Sequence, residues 1–137
     1  MRSFFWKGTP RGQGRPRFSR ANGAYKSSED KAYERALCMA YWAEHAGKRP
    51  LDGPLTIRIK AIFPIPKSKP KQEQELMRRG EIKPTCRPDM DNIQKSVLDA
   101  LNKVAFPDDK AVTWLIGQKV YGDVPGVYVE IDGVEKL

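Results

Sequence analysis

The sequence predicts one mixed α/β domain in which a β-sheet packs against helices, and three observations lead to that prediction. The chain has 137 residues, which is the length of one compact domain, expected here over residues 1–137. Two segments repeat apolar residues at three- and four-residue spacing, which is the pattern of an amphipathic helix. Four shorter segments have the apolar patterns of β-strands.

The N-terminal half begins with a predicted strand and continues into a helix. Residues 3–6 form the strand, and we expect its aromatic side chains, together with Phe18 and Tyr25, to lie in the core. The helix is predicted over residues 27–46, because Ser27 or Ser28 can cap it and Gly47 can end it. Its apolar stripe consists of Tyr33, Leu37, Ala40 and Tyr41.

Three later segments are predicted strands. Residues 55–63 alternate apolar and polar side chains, which indicates a strand buried on one face. Residues 112–120 and 127–131 are the other two, and the YGDVPG sequence between them predicts a β-hairpin. After the first of these strands, residues 72–79 are predicted to form a short helix that ends at Gly80.

The composition restricts the classes of function. The chain has 25 Lys and Arg residues against 17 Asp and Glu residues, so its formal net charge is +8, and nucleic acid is the favoured partner ahead of an anionic membrane surface. Two cysteines exclude a disulfide framework, and one histidine beside them excludes a conventional zinc site. No apolar stretch approaches the ~18 residues of a membrane-spanning helix. We therefore expect a cytoplasmic protein without membrane contact, whose chemistry uses carboxylates, lysines and a hard metal ion.

Positive charge is concentrated in two segments. Residues 1–28 contain no Asp or Glu, and their basic residues are interleaved with aromatic residues and glycines. A second basic segment covers residues 67–83. We interpret both as contacts to nucleic-acid phosphates, with a solvated loop and a solvated linker as the alternatives. The predicted nucleic-acid contacts are Lys7, Arg11, Arg15, Arg17, Arg20, Lys69, Lys71 and Arg87.

Residues with catalytic potential are concentrated between positions 87 and 110. Asp89 and Asp91 stand where the second long helix begins, and Lys95 follows Asp91 by one helical turn. Two close carboxylates repel each other unless a cation lies between them. A third carboxylate, from the Asp pair at 108–109, can complete an oxygen-donor set that suits Mg²⁺ or Mn²⁺. Lys95 can then stabilise charge on the reacting phosphorus.

Each of these features also has a structural interpretation. Aspartate at a helix start commonly caps the helix. Lys95 lies between Asp91 and Asp99 at four-residue spacing, which fits a surface ion-pair ladder. The Asp pair at 108–109 fits ordinary turn chemistry. Their conjunction in a basic chain without a histidine cluster nevertheless favours a metal-dependent phosphodiesterase.

The central segment reads RPDMDNIQKSVLDALNKVAFPDDKAV, and it resembles the signature of RusA-like Holliday-junction resolvases. Those small dimeric endonucleases carry a D-x-D-N-[LI]-x-K motif, then an apolar helix containing D-A-L, then an Asp pair before a strand. The basic opening GTPRGQGRPRF is similar to the Gly- and Pro-rich opening of the same family. The matching positions of the central motif are Asp89, Asp91, Asn92, Ile93, Lys95, Asp99, Ala100, Leu101, Asp108 and Asp109.

The resemblance implies a RusA-like fold and a homodimeric, metal-dependent endonuclease that resolves four-way DNA junctions by paired symmetric nicks. The metal-binding carboxylates of the family fall on Asp89, Asp91 and Asp109, and its catalytic lysine falls on Lys95. Mg²⁺ is the implied cofactor, with Mn²⁺ as the alternative. Two other functions stay open, namely a non-catalytic nucleic-acid-binding module and a nuclease that prefers flaps or other branched DNA.

Overall fold

Six strands and three α-helices make up the part of the chain described by a computed structural model, which covers residues 1–14, 17–21 and 23–135. A short 3₁₀ helix, Asp109–Ala111, precedes the fifth strand. The mixed α/β fold is the one that the sequence predicts. In chain order the elements are β1 Arg2–Lys7, β2 Arg17–Ser19, β3 Gly23–Tyr25, α1 Ser28–His45, β4 Asp52–Pro64, α2 Lys71–Arg78, α3 Met90–Leu101, β5 Val112–Gly122 and β6 Gly126–Val134.

Four strands form a mixed sheet in the order β1–β6–β4–β5. β4 pairs antiparallel with β6 and parallel with β5, and β6 pairs antiparallel with β1. The predicted hairpin between the last two strands is therefore wrong, because β5 and β6 lie on opposite sides of β4. Turn residues determine that the chain reverses direction between two strands, but they do not determine which strands pair. Here β4 lies between β5 and β6 and forms hydrogen bonds with both.

The core lies between the sheet and the helices α1 and α3. Alternate residues of β4 from Leu55 to Phe63 are buried, as the sequence pattern predicts. On β1, the ring of Phe4 packs edge-on against Tyr41 of α1, with 5.9 Å between ring centroids, and Trp6 packs in the same way against Tyr33 at 5.1 Å. The core expectation is wrong for Phe5, which is 41% exposed, for Phe18, which is 78% exposed, and for Tyr25, which is 38% exposed.

α1 begins where the sequence predicts, because Ser27 caps it. The Ser27 side chain accepts a hydrogen bond from the backbone N–H of Asp30 at 3.1 Å. The predicted short helix after β4 is also present as α2, and its Met77 is buried against the body of the protein. β2 and β3 form a separate two-stranded hairpin between β1 and α1. In the described part of the chain, every helix is too short or too polar to span a membrane.

Candidate active site

A polar cleft of about 410 Å³ lies between the start of α3 and the loop that follows β1. The loop contributes Gly12 and Gln13, and the turn into α3 contributes the other lining residues. Among these are one of the predicted catalytic carboxylates and one of the predicted phosphate-binding arginines. The residues on the α3 side are Arg87, Pro88, Asp89 and Asn92.

The Asp89 carboxylate is not used as a helix cap. Asp89 occupies the N-cap position of α3 with extended backbone (φ −68°, ψ 151°), yet its side chain makes no capping hydrogen bond. Only its backbone carbonyl serves the helix, by accepting from the N–H of Ile93 at 3.1 Å. Asp91 stands in the first turn, and both side chains are exposed. Helix capping therefore does not explain the pair, and both carboxylates are accessible to a ligand.

Lys119 of β5 holds the turn that leads to Asp89. Its ammonium donates hydrogen bonds to the backbone carbonyls of Cys86 and Pro88, the latter at 3.0 Å, and lies 5.1 Å from the ring centroid of Phe63. The two carbonyls flank Arg87, so the lysine fixes the backbone just before Asp89. Sequence analysis did not single out this residue, because the contact depends on where β5 lies in the sheet.

The N-terminal loop is fixed on the two long helices. Arg11 donates to Asp30 Oδ1 at 2.8 Å, and the N–H of Gly14 donates to Asp30 Oδ2 at 3.2 Å. Asp30 is only 4% exposed, so these bonds compensate a buried charge. The Arg11 guanidinium also lies 5.7 Å from the ring centroid of Tyr33. Arg11, a predicted nucleic-acid contact, is thus engaged within the protein and holds one wall of the cleft.

Asp99 of α3 binds one residue on each side of the β2–β3 hairpin. Its Oδ2 accepts hydrogen bonds from Gln13 at 2.8 Å and from Lys26 at 2.9 Å, and Lys26 also pairs with Glu34 at 2.6 Å. Burial lowers the pKa of Lys26, but hydrogen bonds to and the charges of Glu34 and Asp99 outweigh it and raise the pKa overall. Asp99 is therefore a structural carboxylate in this arrangement.

Lys95 does not take part in the ion-pair ladder that its spacing allows. It is exposed, and within the described residues it forms no salt bridge with Asp91, Asp99 or any other carboxylate. Because Asp99 pairs with Lys26 instead, the ammonium of Lys95 is available to an anionic ligand near the start of α3.

The two aspartates before β5 differ in their environment. Asp108 caps the 3₁₀ helix by accepting from the N–H of Lys110 at 2.9 Å, and this bond lowers its pKa below the ordinary value. Burial raises the pKa of Asp109, and a hydrogen bond with Asp108 and the charges of Asp108 and Asp99 raise it further.

The donor chemistry at the start of α3, where Asp89 lines the cleft and Asp91 follows in the first helical turn, fits a hard divalent cation. Asp89 and Asp91 offer carboxylate oxygens that no helix cap occupies, and Mg²⁺ in proteins is commonly held by one or two carboxylates together with water and phosphate oxygens. Asp109 is not gathered with them. In residues 1–14, 17–21 and 23–135, no group of three or more His, Cys, Asp or Glu side chains is arranged to hold a metal ion.

The remaining predicted nucleic-acid contacts are distributed around the cleft and the two basic segments. Arg87 lines the cleft and is exposed. Arg15 lies outside the described residues, and Arg17 is described only as a backbone position of β2. The other predicted contacts are all exposed, and these are Lys7, Arg20, Lys69 and Lys71.

Comparison with known proteins identifies a family and one relative. A sequence model described as endodeoxyribonuclease RusA matches residues 7–132, which include both walls of the cleft and every residue of the central motif. The chain is also 34% identical over 128 residues to the uncharacterized protein YqaN of Bacillus subtilis (strain 168), and the match covers 90% of each chain.

Proposed function

Because the chain belongs to the RusA endodeoxyribonuclease family, we propose that it is a Mg²⁺-dependent endodeoxyribonuclease that resolves four-way DNA junctions by paired symmetric nicks. The whole chain, residues 1–137, acts as one endonuclease domain in this proposal. Its substrate is cytoplasmic DNA in recombination and repair.

One observation carries the proposal. At the start of α3 a carboxylate pair stands beside a polar cleft, and the N-cap aspartate of that pair makes no capping bond. An aspartate at the N-cap normally accepts a hydrogen bond from its own helix. Asp89 does not, so its carboxylate is free to bind a ligand. The arginine and lysine side chains around it match the charge of a DNA phosphate, which makes a phosphodiester the favoured substrate.

The residues have separate roles in this proposal. Asp89 and Asp91 hold the cation, which when bound polarises the scissile phosphate and lowers the pKa of a water. Lys95 stabilises the negative charge that develops on the phosphate oxygens, and Arg87 binds the phosphate on the cleft wall. Asp109 is the proposed third carboxylate of the site, because it stands at the matching position of the family motif that the sequence resembles.

The junction itself has approximate two-fold symmetry, which a homodimer matches. Two identical sites related by a two-fold axis can cut two opposed strands at equivalent positions. The basic segments around residues 7–26 and 67–83 would then follow the DNA backbones of the arms. Binding through so many phosphate contacts is expected to weaken steeply as the salt concentration rises.

The first prediction is that Asp91→Asn abolishes Mg²⁺-dependent junction cleavage and leaves junction binding intact. The substitution removes a negative charge from the metal site but changes neither the shape of the helix nor the basic surface. Labelled four-way junction, flap and linear duplex are compared in cleavage and binding assays with Mg²⁺ and with Mn²⁺. The matched control is Glu44→Gln, which removes an exposed charge of α1 and is expected to cleave as the unmodified protein does.

The same assays separate the other functions. A protein that binds the junction but never cuts any of the three substrates with either metal is a nucleic-acid-binding module, and the proposal is then wrong. Faster cutting of the flap than of the junction assigns the protein to nucleases of other branched DNA. If Asp91→Asn cleaves the junction at the normal rate, the Asp91 carboxylate has no role in the mechanism.

A further inference from the structure

The hairpin formed by β2 and β3 exposes an aromatic side chain that the described residues leave uncovered. Phe18 is 78% exposed, and its cross-strand partner is Ala24, which offers no side chain to pack against it. Tyr25 occupies the opposite face of the hairpin, paired across from Arg17. The ring of Phe18 is therefore free to pack against a ligand that offers an apolar face.

The hairpin is held at its base next to the cleft. Gln13, which precedes it, and Lys26, which follows it, both donate to Oδ2 of Asp99 on α3. The backbone N–H of Gln13 also donates to the carbonyl of Asn92 at 3.4 Å, and Asn92 lines the cleft. Gln13 and Lys26 are therefore both fixed at the edge of the candidate active site, and we call the β2–β3 hairpin between them the finger.

The positive charge of the finger favours the binding of a polyanion. From residue 14 to residue 26 the sequence contains no carboxylate, and Arg20 is exposed beside Phe18 on the hairpin. A basic strand pair that presents one aromatic ring combines phosphate contacts with a surface on which a nucleobase can stack. An intact duplex does not offer the face of a base, but a branch point does, because its bases are unstacked where the arms exchange.

We propose that Phe18 stacks on an unpaired or unstacked nucleobase at the branch point and thereby favours branched DNA over linear duplex. This inference rests on the proposed function, and it adds a substrate-selecting residue outside the catalytic motif. Apolar side chains that insert at a base step are an established means by which proteins hold distorted DNA.

The test compares Phe18→Ala, Phe18→Trp and Arg20→Ala with the unmodified protein, all in EDTA so that no cutting occurs. Affinity for a four-way junction and for a linear duplex is measured by fluorescence anisotropy. The junction carries 2-aminopurine at the branch, so that stacking changes its fluorescence. We expect Phe18→Ala to lose about tenfold in junction affinity with duplex affinity unchanged, as removal of one base-stacking aromatic predicts. Phe18→Trp should retain junction affinity, and Arg20→Ala should weaken both substrates equally.

Two results overturn the inference, and they are distinguishable. If the unmodified protein cuts the junction with Mg²⁺ while Phe18→Ala keeps the same junction-to-duplex affinity ratio and the same 2-aminopurine signal, the role of Phe18 is wrong and the proposed function stands. If the unmodified protein itself does not prefer the junction to the duplex, the role of Phe18 is wrong, and the cleavage assays alone decide the proposed function. Thermal unfolding of Phe18→Ala should match the unmodified protein, since an exposed side chain contributes little to stability.

Discussion

Lys119 illustrates how one residue outside the catalytic motif can control the geometry inside it. Its ammonium donates to two backbone carbonyls of the turn before Asp89 and lies over the ring of Phe63. Because these bonds hold the turn in place, the Asp89 carboxylate lies at the cleft in one orientation. Lys119 is therefore a positioning residue, which acts on the reaction through the backbone.

The prediction at this scale is that Lys119→Met lowers kcat for junction cleavage and leaves the junction dissociation constant unchanged. Methionine keeps an unbranched side chain but leaves the carbonyls of Cys86 and Pro88 without their donor, so Asp89 loses its fixed position. A displacement of about 1 Å at a catalytic group can cost about 100-fold in rate. Single-turnover cleavage and anisotropy measure the two quantities separately.

Controls distinguish positioning from a general loss of stability. Lys119→Arg retains the donor and should restore a large part of the rate. Lys48→Met makes the same replacement at an exposed position in the loop after α1 and should change neither quantity. Equal losses of affinity and rate in Lys119→Met would show that the lysine supports the fold instead.

At the scale of elements, the sequence predicts those features that depend on local patterns. The alternation from Leu55 to Phe63 and the cap at Ser27 are local, and the bounds of β4 and α1 follow from them within a few residues. The pairing of β5 is not local. Its apolar pattern fits any neighbour, and its pairing with β4 joins residues as far apart in the sequence as Leu55 and Val112.

The candidate site divides in the same way. The spacing of Asp89, Asp91 and Lys95 at a helix start is a local pattern, and the structure has the helix where the sequence predicts it. The roles of Asp99 and Arg11 were not predictable, because both depend on the loop after β1 reaching helices that are distant in the sequence. The core expectation for Phe18 rests on the general burial of aromatic side chains, and it is wrong because β2 and β3 form a hairpin separate from the main sheet.

The loop after β1 also yields a prediction, because Gly12 lies where a side chain does not fit. A Cβ at Gly12 would stand 2.8 Å from Cβ of Asn92 and 2.9 Å from Cβ of Pro88, and neither atom is the end of a flexible side chain. Gly12→Ala is therefore expected to push the loop off the start of α3, at a cost of about 1–3 kcal/mol in unfolding free energy. Urea unfolding measures this cost, and the cleavage rate should fall with it. Thr9→Ala, an exposed change in the same loop, is the control, and equal stability of the two variants would contradict the close packing.

At the scale of the whole molecule, the two faces of the sheet differ. The helices α1 and α3 cover one face, which carries the core and the candidate site. The other face exposes Trp114 and Ile116 on β5 and Phe5 on β1. Its charged residues have both signs, because Arg58 lies 4.0 Å from Glu130 and 3.5 Å from Asp132. A surface that is apolar at its edges and carries both charges can complement a second copy of itself.

The last prediction is that this open face forms the homodimer and that Trp114→Glu separates it. Trp114 is 64% exposed, and a carboxylate at this position would be desolvated without a partner in the dimer. Light scattering after size exclusion should give twice the 15.6 kDa of one chain for the unmodified protein and 15.6 kDa for the variant.

The first helix is the competing interface, and Met39→Glu tests it, because Met39 is 61% exposed on α1. A dimer that survives Trp114→Glu and separates with Met39→Glu assigns the interface to α1, and an unmodified protein that is monomeric at every concentration contradicts the homodimer. If Trp114→Glu yields a folded monomer that nicks single strands of the junction without pairing the two cuts, the paired nicks come from the dimer and each site works alone.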